Sequence, residues 1–248
     1  MANADNSLSF QEARRFLPPH GGAPVHEEGG RLRGLKALIT GGTGLAVAIA
    51  FAREGADVVI GHQPQDEGRA LEICTRIRMV GRKSAPISGD ICEEAFCETL
   101  VRRAVSTLGG LDIVVNTAGF LDARGEFDTS RNDPFDKTLK ANLYAPFWIS
   151  KAAAPLMRPG SAIIFTASVG GFSLGDVFID DRANATVMAA FSGRAVGQLA
   201  ERGIRVASVS QDGRVAALDT IASRYVAAAE RRVSDVGGAL GLVTSGRA

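Results

Sequence analysis

The chain has 248 residues, is 46% hydrophobic and 22% charged, and carries a formal net charge of +1. That length supports one large α/β domain with a substantial core. The near-neutral balance excludes a basic nucleic-acid surface or a basic membrane-surface helix, and no apolar run reaches the roughly 20 residues that span a bilayer. The polar start, MANADNSLSFQEARR, does not read as a secretory signal. Cys74, Cys92 and Cys97 form no CxxC pair, and their odd number argues against a disulfide framework, so a cytoplasmic protein is expected. His20, His26 and His62 lack metal-ligand spacing, and no metal site is expected.

Residues 1–33 are rich in Gly, Pro and charge (PPHGGAPVHEEGG) and read as an extended N-terminal arm. Residues 34–248 read as one domain. From Leu35 the chain runs LKALIT, GGTGLA, VAIAFAREGA, DVVI: strand, glycine turn, amphipathic helix, strand. Glycines in such a turn let the backbone bend tightly and approach a diphosphate at the helix N-terminus. Helical spacing follows over Asp66–Val80, a strand over Ser84–Ser88, a helix over Glu93–Leu108 and a buried strand over Leu111–Asn116. Pro134–Met157 reads as a long helix that Pro146 and Pro155 should bend or trim. Then come a strand over Ser161–Ser168, a small-residue helix over Ala183–Arg202, a strand over Ile204–Ser210, a helix near Ile221–Arg231 and a last strand near Ala239–Val243. This alternation predicts a single-domain α/β fold, a Rossmann-like doubly wound parallel sheet with helices on both faces.

The stretches TGG–GLA, AFAREGADV, GRK…GDI, LGGLDIVVNTAG, ANLYAPFW, GSAIIFTAS and ERGIRVASV together resemble the classical short-chain dehydrogenase/reductase family. The resemblance runs from about Arg31 to the end. The arm and EEAFCETLVRRAV are similar to the subgroup with an N-terminal extension. The family's cofactor turn is TGxxxGxG. Here Thr40-Gly41-Gly42-Thr43-Gly44-Leu45-Ala46 is one residue short, with Ala46 in place of the last glycine. The resemblance implies Gly41, Gly44, Asp90 and Asn116 as the cofactor-binding residues if a nucleotide is bound. Asp90 and Asn116 read equally well as strand-end residues that tie down loops. Gly61-His62-Gln63 offers neither the acidic side chain that holds the ribose of NAD nor an Arg for a 2′-phosphate.

The family transfers hydride with Asn, Ser, Tyr and Lys. Asn142 matches the Asn and Ser168 the Ser. In the YxxxK position the chain carries Asp181 and Ala185 instead. Neither of the two tyrosines opens such a motif, since Tyr144 leads to Trp148 and Tyr225 to Ala229. An aspartate is ionised at neutral pH and has no proton to give unless its pKa is raised. Asp180, Asp181 and Arg182 form a charged cluster at a predicted helix start, readable as a cap with a solvated ion pair or as an acid/base pair. The expectation is therefore an atypical, cofactor-independent, non-redox enzyme of cyclase, isomerase or dehydratase type. Its catalytic residues would be Asp181, Ser168, Asn142 and Asp180, with no cofactor, or NAD(P) if any. The alternatives are a non-catalytic partner subunit and an NAD(P)-dependent oxidoreductase with an unusual proton donor. A small-molecule substrate and a homodimer or homotetramer are expected, with no nucleic-acid or membrane partner.

Overall fold

A computed structural model of the chain describes residues 30–41, 44–117, 132–168, 197–211, 218–230 and 241–243. The first 29 residues of the arm and the Asp180–Asp181 cluster lie outside these described residues.

Seven strands form one sheet: β1 Lys36–Thr40, β2 Asp57–His62, β3 Ser84–Ser88, β4 Ile113–Asn116, β5 Ala162–Ser168, β6 Arg205–Gln211 and β7 Gly241–Val243. Their order is β3-β2-β1-β4-β5-β6-β7, and every pairing is parallel. The apolar runs of β1, β2 and β4 are buried on both faces, which is why they read as near-continuous hydrophobic stretches rather than alternating ones. The expected doubly wound architecture is present.

Among the described residues helices run over α1 Gly44–Arg53, α2 Glu67–Met79, α3 Glu94–Leu108, α4 Asn132–Leu139, α5 Ala145–Ala153 and α6 Leu218–Ala229, and residues 197–200 are helical as well. One core layer packs α1, α2 and α6 on the sheet, around Phe51, Ile77 and the fully buried Tyr225. The other packs α3 and α5, around Leu100, Ile149 and Phe165. α3 stops at Gly109, whose φ of 74° supplies the left-handed C-cap. Leu32 is fully buried in the first layer and its N–H donates to Glu54 O at 2.9 Å. The packed body thus reaches back to Gly30, upstream of the expected boundary at residue 34.

The long helix expected over Pro134–Met157 is interrupted. A π-turn over Lys140–Tyr144 separates α4 from α5, and Ala145 N–H bonds back to Lys140 O. Pro146, in the first turn of α5, has no N–H to continue the α-helical ladder. A 3₁₀ turn over Ala154–Leu156, containing Pro155, ends the run. Among the described residues no helix is long and apolar enough to cross a membrane.

Candidate functional site

The chain leaves β1 for β2 on one side and reaches β4 on the other, so strand order reverses between β1 and β4. The C-terminal ends of these two strands form the crevice where ligands bind in open α/β sheets. Thr40 and Asn116 are register partners at that edge. Gly41 follows with φ 90°, a backbone that side chains rarely adopt, and α1 opens at Gly44. Gly44 N–H donates to Gly41 O at 3.1 Å, which closes the turn. A Cβ on Gly44 would stand 2.8 Å from Ile39 Cγ2 and 3.0 Å from Thr117 Oγ1, so glycine is required for close strand–helix approach. Ala46 is half-buried in the first turn of the helix. The first turn of α1 holds no acidic residue, so its positive end is uncompensated by side chains of that turn.

Thr117 stands where the family has a second Asn. Its backbone N–H donates to Thr40 O at 3.2 Å, and its hydroxyl donates to the same oxygen. Asn116 behaves differently. It is 3% exposed, and neither Oδ1 nor Nδ2 has a hydrogen-bond partner among the described residues. An unpaired buried amide is unfavourable by about 1–3 kcal/mol, so native folds retain one chiefly where something else satisfies it. Asn116 therefore does not tie down a loop through its side chain. Asp90 does: its Oδ1 accepts from Cys92 N–H at 2.9 Å, and the residue is exposed. Asp90 follows edge strand β3, two strands from β1, and is not part of the β1/β4 crevice.

At the end of β2, His62 is 7% exposed. Its Nδ1 lies 2.9 Å from Gln63 O, which can only accept, so Nδ1 carries a proton. Its Nε2 is 3.5 Å from Glu67 Oε2. The sequence reading found no acidic group at this strand end. The fold supplies Glu67, from the first turn of α2. Its only linear signal is a Glu shortly after the strand, beyond Pro64.

Of the expected catalytic residues, Asn142 is half-buried in the π-turn before α5. Ser168 ends β5, three positions past Phe165, the register partner of Asn116, and so about 10 Å further along the sheet. Asp180 and Asp181 are outside the described residues. Gly41, Gly44 and Asn116 are thus brought to one crevice, whereas Asp90 is not.

All three cysteines are buried, which disfavours the nucleophilic thiolate. Burial pushes the Cys97 thiol up to about 12 and the Cys92 thiol to about 11, with the Cys92 and Asp90 charges adding to the effect on Cys97 and Asp90 adding to it on Cys92. Burial also raises Cys74. No His, Cys, Asp and Glu grouping suited to a metal occurs among the described residues.

Comparison with known proteins gives the family context. The family described as enoyl-(acyl carrier protein) reductase matches residues 37–236. The oxidoreductase YhxD of Bacillus subtilis (strain 168) is 38% identical over 195 residues, covering 77% of this chain and 65% of that protein. The oxidoreductase YghA of Escherichia coli (strain K12) is 37% identical over 198 residues, covering 79% and 67%. The chain therefore spans about two thirds of the length of these relatives. Among solved structures, a short chain dehydrogenase from Burkholderia cenocepacia J2315 in complex with NADP is 31% identical with a TM-score of 0.69, over 78% of this chain and 83% of that one. An NADH-dependent reductase complexed with NAD is 26% identical with a TM-score of 0.73, over 80% and 90%. These findings correct the expectation of a cofactor-independent cyclase, isomerase or dehydratase. The relatives are named oxidoreductases, and the structural neighbours hold nicotinamide dinucleotides. The physical reason is that a shortened turn and a lost Tyr do not remove the crevice, which the ends of β1 and β4 and the close approach at Gly44 still form.

Proposed function

The chain belongs to the short-chain dehydrogenase/reductase family, and from that membership we propose that it is an NAD(P)-dependent oxidoreductase of small organic carbonyl substrates whose proton donor is not a YxxxK tyrosine. The observation that carries this reading is Asn116, an amide buried at the switch point with both polar atoms unpaired. The residues around it fit a dinucleotide. Gly41 and Gly44 let the backbone come close, the α1 N-terminus favours a diphosphate, and the Asn116 amide offers one donor and one acceptor edge. Glu67 and His62, at the end of β2, are the groups available to a ribose. A bound nicotinamide supplies the hydride in such a reaction.

The chain's own residues bind, orient and protonate. Ser168, at the end of β5, and Asn142, in the π-turn, are the matched polar groups for holding a carbonyl oxygen and a water. The oxygen of the reduced carbonyl needs a proton, and the sequence register offers Asp181, with Asp180 beside it. For Asp181 to act as the acid its pKa must be raised, which a second carboxylate held close to it would do. Following the family resemblance, the protein acts as a homo-oligomer. Light scattering at micromolar concentration tests this, a monomeric mass being the contrary result.

The experiment is turnover of NADPH and NADH against ketones, aldehydes and conjugated enones, followed by loss of the reduced-nicotinamide absorbance. Substrate-dependent loss supports the reading. If activity falls as pH rises in wild type and is removed in Asp181→Asn, Asp181 is the acid. No turnover by the full chain with any of these classes overturns the reading.

A further inference from the structure

We propose that a second ligand site, for a small phosphate-bearing anion, lies at the opposite edge of the sheet from the cofactor crevice. A cavity of about 320 Å³ opens at the N-terminal ends of β1 and β4, lined by Arg33, Gly34, Leu35, Lys36, Asp112, Arg158 and Pro159. Three of these seven residues carry cations and one carries a carboxylate.

The cations converge. At Gly110, with φ 146°, the position a Cβ would take is 3.4 Å from Lys36 Nζ and 3.9 Å from Arg158 Nη2. Glycine thus leaves a gap that two cationic groups face from different chain segments. The carboxylate is already engaged: Asp112 is 4% exposed and its Oδ2 accepts from Lys36 N–H at 3.0 Å. Lys36 Nζ donates to Gly109 O at 2.8 Å, where it caps the C-terminal end of α3, and two of its three N–H groups remain for a ligand. Arg33 and Arg158 are exposed, and neither guanidinium has an ion pair or side-chain hydrogen bond with a described residue.

Five other described surface cations are each paired with a carboxylate. Arg31 pairs with Glu54, Arg76 with Glu72, Arg102 with Glu98, Lys140 with Asp136 and Lys151 with Glu94. Around the cavity the basic groups outnumber the acidic one. Guanidinium forks bind phosphate oxygens in bidentate fashion, and an ammonium adds a compact point charge. A tetrahedral dianion in the cavity matches that donor set. A neutral ligand would leave the Arg33 and Arg158 charges uncompensated.

The test is a calorimetric titration of the full chain with sodium phosphate, repeated with Arg33→Gln/Arg158→Gln. Both positions are exposed, so the double variant keeps the fold, which circular dichroism checks. Lys36 is left in place because it caps α3. Saturable binding to wild type that weakens at least about tenfold in the double variant supports the site, as expected for loss of two charge-assisted contacts. Equal affinity in the two proteins overturns it, because the anion would then sit elsewhere, such as the α1 turn. Absence of saturable binding to wild type also overturns it. So does equal thermal stabilisation by sodium chloride at matched ionic strength, which general screening would produce.

Discussion

The phenol of Tyr225 donates a 2.6 Å hydrogen bond to the hydroxyl of Thr166. The direction follows from the next link, because Thr166 Oγ1 spends its one proton on Asn116 O at 3.0 Å. A chain of donors therefore runs from α6 through β5 to the end of β4, and it holds the backbone that carries the unpaired Asn116 amide. Tyr225→Phe removes the first donor and should lower unfolding free energy by about 1 kcal/mol. Tyr225→Ala also empties a fully buried ring position, and should lower it by about 3–5 kcal/mol. Denaturant titration of both variants checks this. Equal loss in the two would mean that the ring contributes no packing.

Asn116→Leu separates stability from ligand binding. The substitution removes two unpaired polar atoms from a site that is 3% exposed. Folding stability should stay level or rise by up to about 1 kcal/mol, while NAD(P) affinity should fall about tenfold or more. A marked loss of stability in thermal denaturation, with affinity unchanged, would make Asn116 a structural residue instead.

Gly44→Ala probes the turn. The added methyl would meet Ile39 Cγ2 at 2.8 Å and Thr117 Oγ1 at 3.0 Å. The start of α1 must then shift from β1, destabilising the fold by about 1–3 kcal/mol and weakening dinucleotide binding with it. A variant with wild-type stability and affinity would contradict the packing described.

The cysteines set an alkaline limit. Cys97 and Cys92 are pushed up to about 12 and about 11, burial being the largest cause in each. In the unfolded chain they ionise near the ordinary thiol value. Their contribution is complete below that value and is lost as pH rises from it through the folded-state values. Stability should therefore decline above about pH 9, and the native thiols should resist alkylation at neutral pH. Prompt iodoacetamide labelling of Cys97 in native protein, read by mass spectrometry, would oppose this.

The strands were readable from LKALIT, DVVI and LDIVVN because strands buried on both faces need apolar residues at every position. The break in the long helix was half readable: Pro146 announces a disturbance, yet only the coordinates reveal a π-turn that carries Asn142. The unpaired state of Asn116 has no linear signal, since pairing depends on what the fold brings within hydrogen-bond reach. The same holds for Lys36 and Arg158 around Gly110, which come from distant parts of the chain. The weight given to missing YxxxK and TGxxxGxG positions misled the functional reading, because motif loss says nothing about whether the surrounding crevice persists.

A nicotinamide dinucleotide is the ligand proposed for this crevice. The most direct measurement is a calorimetric titration of the purified full chain with NADPH, NADP, NADH and NAD, after confirming that no nucleotide co-purifies. Saturable binding of at least one of the four is expected, weakened about tenfold or more in Asn116→Leu. No binding of any of them at millimolar concentration by correctly folded protein would contradict it.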